Sequence, residues 1–477
     1  MEQKLVTPYI AQRDLTSSHA TIRLSRADFE SVAFRDGTVV LPFYHCFFKK
    51  LTIVNEEEIE FKQISIAFFS CILPDIKIEN ITTNNITVGF YGSLVSGKIE
   101  HKNLIAVDFN NCLTPSSMFV INVPKVQINY TKENFETNHW TGLLIRFLLQ
   151  NAHEIINKPI RYHIHNSKVA HLSSNFDFQE EQFKTEITLA YQPGTDHIET
   201  KIKGMLLDAF SISGNPTGNI SVENTRINSW YIYNFFPDGN VSFYSIEPAS
   251  VSGKENKIGI HNSKLDGVEF DNVSFDSYPI ISFYRTKFSK AIFTSCDFPE
   301  DYKTFSKFVE IENVHYPDRK PKNYDKAQYE IFLQLKKAVE ERGNYYESQK
   351  LQAMAHDALR QIKSISWSDR LILKINNWSN NHGLSVKRPF VGFIISSVLL
   401  YILYLCSIGR IFNSGDFDPT LIGYYFSFID ITHRVDFLVG KEEFTGWTLL
   451  IDYLGKLIFG FFIYQFIASF RKYGKRA

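Results

Sequence analysis

Between Ile260 and Phe298 a large apolar residue recurs at every fifth position: Ile260, Leu265, Phe270, Phe275 and Ile280, then, in a shifted frame, Phe283, Phe288, Phe293 and Phe298. Two positions before most of them stands a second, usually smaller residue, among them Ser263, Val268, Val273, Thr286, Ala291 and Cys296. A helix repeats every 3.6 residues and a strand every 2, so neither sustains a period of five, whereas an internal repeat does. Looser copies lie upstream, where ISIAFFSC from Ile64, ITVGFYGS from Ile86 and IAVDFNNC from Ile105 align at spacings of 22 and 19 residues. Four faces of five residues give about twenty residues per turn of a coil. The 42 Phe and 24 Tyr of the 477 residues supply an aromatic-rich interior for it.

Val268-Glu269-Phe270-Asp271-Asn272 and Ala291-Ile292-Phe293-Thr294-Ser295 resemble the A(D/N)LXX unit of the pentapeptide-repeat family, with Phe in place of most of the Leu. The resemblance implies a right-handed, four-sided β-solenoid in which the central large residue and the small one before it point inward. A mainly β, irregular solenoid is therefore expected over residues 1–298, clearest at 258–298. A helical insertion is expected near 140–156, where WTGLLIRFLLQNAHEII interrupts the coil. A β-sandwich over residues 1–210 followed by a short solenoid is the competing arrangement. Cys296 falls on a small inward position, and Cys46, Cys71 and Cys112 lie among large apolar residues, as buried inert thiols do. Five scattered cysteines make neither a disulfide framework nor a metal clip, and they suit a reducing compartment.

Residues 299–324, with Pro299, Pro317 and Pro321, read as a linker. The period then becomes helical: Phe332, Leu335, Ala338 and Val339 share a face before Gly343, and a second helix follows. The pair, over 325–364, is similar to the tetratricopeptide-type hairpin that joins pentapeptide repeats to membrane segments in some bacterial proteins. Residues 365–385 contain WSDRLILKINNW, whose Trp367, Leu371, Ile372, Ile375 and Trp378 suit an amphipathic helix in the membrane interface. Pro389 to Gly409 is free of charge for 21 residues, and a helix needs about 20 to cross a bilayer. A two-span domain is expected over 388–477, with spans near 389–410 and 447–470, the second carrying Asp452 and Lys456 four residues apart on one face. Arg370, Lys374, Lys387 and Arg388 flank the first span, and Arg471, Lys472, Lys475 and Arg476 follow the second. Both termini should then face the cytoplasm, at a bacterial inner membrane.

There is no phosphate loop, dinucleotide fingerprint, HExxH or GxSxG. His163 and His165 alternate on a strand without a second ligand pair, and His45 beside Cys46 points to the opposite face. No catalytic, cofactor-binding or metal site is expected, and an enzyme is the least favoured class. With 51 Lys+Arg against 51 Asp+Glu, nucleic acid is not an expected partner. The polar residues at or near membrane depth are the candidate site: Asp430, His433, Arg434, Asp436, Asp452, Lys456, Gln465 and Ser469. LIGYYFSFIDITHRVDFL (Leu421 to Leu438) is similar in placement to the pore helix of two-span channels, but Asp430-Ile431-Thr432-His433-Arg434 stands where a potassium filter would present TVGYG. Two functions compete. One is a homo-oligomeric, channel-like pore whose cytoplasmic solenoid senses a protein or small-molecule trigger, a plan shared with membrane effectors of phage defence. The other is a membrane-tethered scaffold without conductance.

Overall fold

The computed structural model describes residues 4–6, 12–13, 16–24, 38–55, 63–78, 86–100, 104–114, 116–131, 160–175, 185–249, 255–299, 324–410, 419–438, 440 and 444–470. They fall into two compact units, residues 1–319 and 320–477.

The first unit is a parallel β-solenoid. Every described strand pairing in it is parallel. Each turn gives one strand to each of two ladders. Gln63–Phe69, Ile86–Tyr91, Leu104–Asn110 and Lys125–Tyr130 stack in one, and Ile72–Ile78, Leu94–Glu100, Ser117–Ile121 and Ile160–His165 in the other. Asn219–Phe235 serves both, pairing with Glu199–Lys203 through its first half and with Leu206–Gly214 through its second. These ladders run on through the region where a sandwich competed, and two antiparallel layers are not what forms there. The expected helix at 140–156, the residues of the linker from 300 to 323 and the basic flank at 471–477 lie outside the described residues.

In the last turns the period of five has a direct physical origin. Ile260, Leu265, Phe270 and Phe275 are all buried in one turn, and Phe283, Phe288, Phe293 and Phe298 repeat them in the next. Phe270 lies opposite Phe293 in register and stacks on it at 5.2 Å, as Phe275 does on Phe298 at 5.4 Å. Single bridges, Lys264 to Lys287 and Ser274 to Asp297, mark the faces that carry no full strand. Upstream the same logic gives a column of stacked rings, Phe43, Phe68, Phe90 and Phe109, at 5.0, 5.3 and 5.2 Å. Parallel strands are spaced at about 4.8 Å, so identical side chains in register must stack.

Strands meet at corners whose backbone is left-handed: Ser70, Asn111, Asn122, Asn166, Asn262, Asn272 and Ser295 have φ between 51° and 56°, or 45° at Asn262. Asparagine tolerates that conformation better than other residues with a Cβ. Gly92 and Arg285, at φ 53° and 50°, mark further corners, and at several of them the next residue is small and closes on the turn before. Ser93 Oγ donates to Phe68 O (3.2 Å), Cys112 Sγ to Phe90 O (3.2 Å), Thr286 Oγ1 to Ile260 O (2.7 Å) and Cys296 Sγ to Phe270 O (3.3 Å). Burial pushes the Cys112 thiol up to about 12 and Cys296 up to about 11, which removes the thiolate that reactivity needs.

The second unit is helical. α1 (Tyr324–Glu341) and α2 (Tyr345–Gln361) form a hairpin around Phe332, Leu335, Ala338, Leu351, Ala355 and Ala358, all buried. Gly343, at φ 82°, ends the first helix, and Asn344 caps the second by accepting from Glu347 N. α3 (Trp367–Asn380) is capped by Ser366, whose hydroxyl accepts from Asp369 N. It exposes Trp367, Leu371, Ile372, Ile375 and Trp378. α4 (Lys387–Ser407) and α6 (Gly446–Phe470) are each long and apolar enough to cross a membrane. The second apolar stretch is thus one continuous helix of 25 residues, with the charged first half included. Between them α5 (Thr420–Ile429) packs on α4, where Tyr401 OH donates to Leu421 O (2.7 Å) and Ser397 shares a hydrogen bond with Tyr425 (2.7 Å). Phe428 is buried among Tyr401, Tyr404 and Phe459.

Candidate functional site

Four of the eight candidate residues meet at one place in the helical unit. Asp430 closes α5, and its Oδ1 accepts from Thr432 N (2.9 Å) and Thr432 Oγ1 (2.7 Å). That Asx-type turn brings His433 back against α6. There its Nε2 lies 2.6 Å from Oδ1 of Asp452, while its Nδ1 meets the Asp430 carbonyl. Lys456, one turn along α6, places Nζ 3.1 Å from Oδ2 of Asp452 and donates to His433 O at 2.9 Å. The Asp452 side chain has no exposed surface and His433 only 5%. Phe437 and Phe428 wall the imidazole at 4.9 and 5.9 Å.

A carbonyl only accepts, so the ring N–H at Nδ1 points to the Asp430 carbonyl, and the other ring nitrogen, Nε2, meets one oxygen of the Asp452 carboxyl while Lys456 pairs with the other. The arrangement ties a histidine, a carboxyl and a lysine into one buried, hydrogen-bonded cluster.

The other four candidates do not join this cluster. Arg434 is largely exposed and pairs with Asp436 at 3.2 Å. Gln465 and Ser469 lie about 20 Å further along α6 at 1.5 Å per residue. Gln465 accepts from Asn380 Nδ2 and donates to Asn376 Oδ1 (3.3 Å), and Ser469 donates to Ser385 O (2.9 Å). They form a polar seam holding α6 to α3 and to the turn before α4. Sequence reasoning paired Asp452 with Lys456 but gave it no histidine. Nothing in a span of 19 residues signals that an Asx turn folds His433 back. It also missed Tyr404, fully buried beside Phe428 and Phe437, and the histidines His356 and His382 at the other end of the unit.

In the solenoid, His163 stacks on Phe119 at 4.6 Å, and burial first, then His165, holds it below the ordinary imidazole range. Among the described residues no group of three or more His, Cys, Asp or Glu side chains is placed to hold a metal ion.

Fold and site together define a parallel β-solenoid protein whose helical unit carries two potential membrane spans and a buried aspartate–histidine–lysine cluster. Comparison with protein families, with curated proteins and with solved structures gave no match.

Proposed function

We propose that this chain is a bacterial inner-membrane effector. In this reading its cytoplasmic solenoid, of pentapeptide-repeat type, responds to a protein or small-molecule partner. Its two-span unit assembles with copies of itself into a channel-like pore. Both termini face the cytoplasm, α3 lies in the inner interface, and no catalysis is involved. The observation that carries the reading is the cluster at Asp452. Ionisable groups at membrane depth cost several kcal/mol, and a chain that only needed an anchor gains nothing from them. Two helices enclose no water-filled path, so conduction requires a ring of subunits. The apolar faces that α4 and α6 leave exposed offer surface for lipid and for neighbouring copies. Depolarising the cell on a trigger, as in phage defence, is a role that suits this plan.

One observation favours a membrane-tethered scaffold instead. Asp452 is closed off inside the single chain and already paired, as a structural ion pair would be. Ion release from sealed vesicles separates the two. Full-length protein should release an entrapped ion faster than empty vesicles and than a chain ended at Gln328, whereas equal release from all three would favour the scaffold.

A further inference from the structure

We propose that the helical unit holds a binding site for a phosphate group, in a cavity of about 290 Å³ walled by α1, α2, the turn after α3 and the end of α6. The size is at the lower end of small-ligand sites. At its back lies His382, whose side chain is 1% exposed and whose two ring nitrogens have no hydrogen bond. The carboxylate of Asp357 is 3.5 Å from Nε2, an ion-pair contact at the outer limit of hydrogen bonding, and also pairs with Arg360 at 3.3 Å. His356 packs its ring 5.1 Å from that of His382, and its Nδ1 is also without a partner. Buried polar atoms are nearly always satisfied, so three buried imidazole nitrogens without a hydrogen bond, on two histidines that line one cavity, need an explanation.

The backbone gives a second, independent one. Asn381, His382 and Gly383 are all left-handed, at φ 54°, 54° and 92°. For a histidine this is a strained conformation, and strain of this kind gathers at ligand clamps. It holds the His382 ring in the cavity wall.

The chemistry of the lining selects the ligand. Lys336 stands at the rim, with Glu340 beside it at 3.3 Å. The amides of Asn376, Asn380 and Gln465 already bond to one another. What is unmet is hydrogen bonding at two imidazoles, near a lysine. A group with several oxygens and a negative charge provides it, and phosphate does so through charge-assisted bonds. A metal ion fits less well, since no third ligand is in place among the described residues. The phosphate can be that of a soluble metabolite or that of a lipid headgroup, because Tyr464, which also lines the cavity, is 58% exposed on a potential span. An occupant would touch both the hairpin and the second span. That makes it a regulator of the pore, a consequence that rests on the channel reading, although the binding itself does not.

The test is thermal unfolding of the full chain in nanodiscs of phosphatidylcholine, titrated with inorganic phosphate at constant ionic strength. A saturable rise in midpoint is expected, absent in His382→Gly, which keeps the left-handed backbone, and shifted to about tenfold weaker affinity in Lys336→Met. In discs that also contain phosphatidic acid, a headgroup site would raise the midpoint before phosphate is added and blunt the titration. A site for a soluble compound would give the same phosphate curve in both discs. No saturable response in either disc, or the same response in wild type and His382→Gly, would overturn the proposal. Neither result depends on whether vesicles leak, so this failure and that of the pore are told apart.

Discussion

Asp452 illustrates what a single residue can cost and contribute. Its carboxylate is fully buried between a histidine and a lysine, and removing one partner strands a charge. Lys456→Met should lower stability by about 3 kcal/mol, whereas Lys456→Met combined with Asp452→Asn should cost less than the single change, because the stranded charge is gone. Unfolding midpoints of the three proteins in detergent check this. The i, i+4 pairing of Asp452 with Lys456 was legible because helix geometry alone sets it. The contact with His433 was not, because it depends on where a turn between helices points. The corner asparagines give a second prediction. Asn272→Gly should leave stability within a few tenths of a kcal/mol, while Asn272→Val should cost about 1–2 kcal/mol, since a β-branched residue resists its φ of 55°. Equal losses in both would contradict the assigned backbone.

At the scale of elements, the solenoid depends on neutral buried histidines. His261 shares a hydrogen bond with Ser282 (2.7 Å) and His197 with Thr200 (3.0 Å), and burial lowers each from the ordinary 6.5 to about 4. Protonation therefore favours the unfolded chain. Their contribution is complete above about pH 6.5 and is lost as pH falls toward 4, with a slope of about 1.4 kcal/mol per pH unit for each histidine. Hydrogen exchange of strand amides in the full chain, followed from pH 7 to pH 5, should show protection falling, and falling less in a His197→Gln, His261→Gln variant. The contact between the spans is equally specific. A Cβ on Gly392 would sit 2.5 Å from the Phe462 ring, so Gly392→Ala should destabilise the helical unit by about 1–3 kcal/mol, read from its unfolding midpoint. The period of five exposed the solenoid where each face is one unit long, as at Ile260 to Phe298. It faded upstream because strands there are longer and turns vary in length: Ile86 pairs with Leu104, then Thr87 with Ala106 across a shift in register. In such turns inward residues alternate along a strand, and the sequence signal becomes the ordinary period of two.

On the scale of the whole molecule, the two units answer different physical demands. Among the described residues the solenoid largely satisfies itself, since its stacked rings and corner residues such as Ser93, Cys112, Thr286 and Cys296 find partners in the adjacent turn. The helical unit does not. Only 28% of each potential span is buried within the chain, so most of its apolar surface is left for lipid or for other copies. Direct recording from planar bilayers tests the central claim. Full-length protein should give discrete current steps whose amplitude changes in Asp452→Asn and Lys456→Met, and a chain ended at Gln328 should give none. Bilayers that stay silent with the full chain, and also with a chain lacking residues 1–323 and so any gate the solenoid could impose, would contradict the pore and leave the two helices as an anchor.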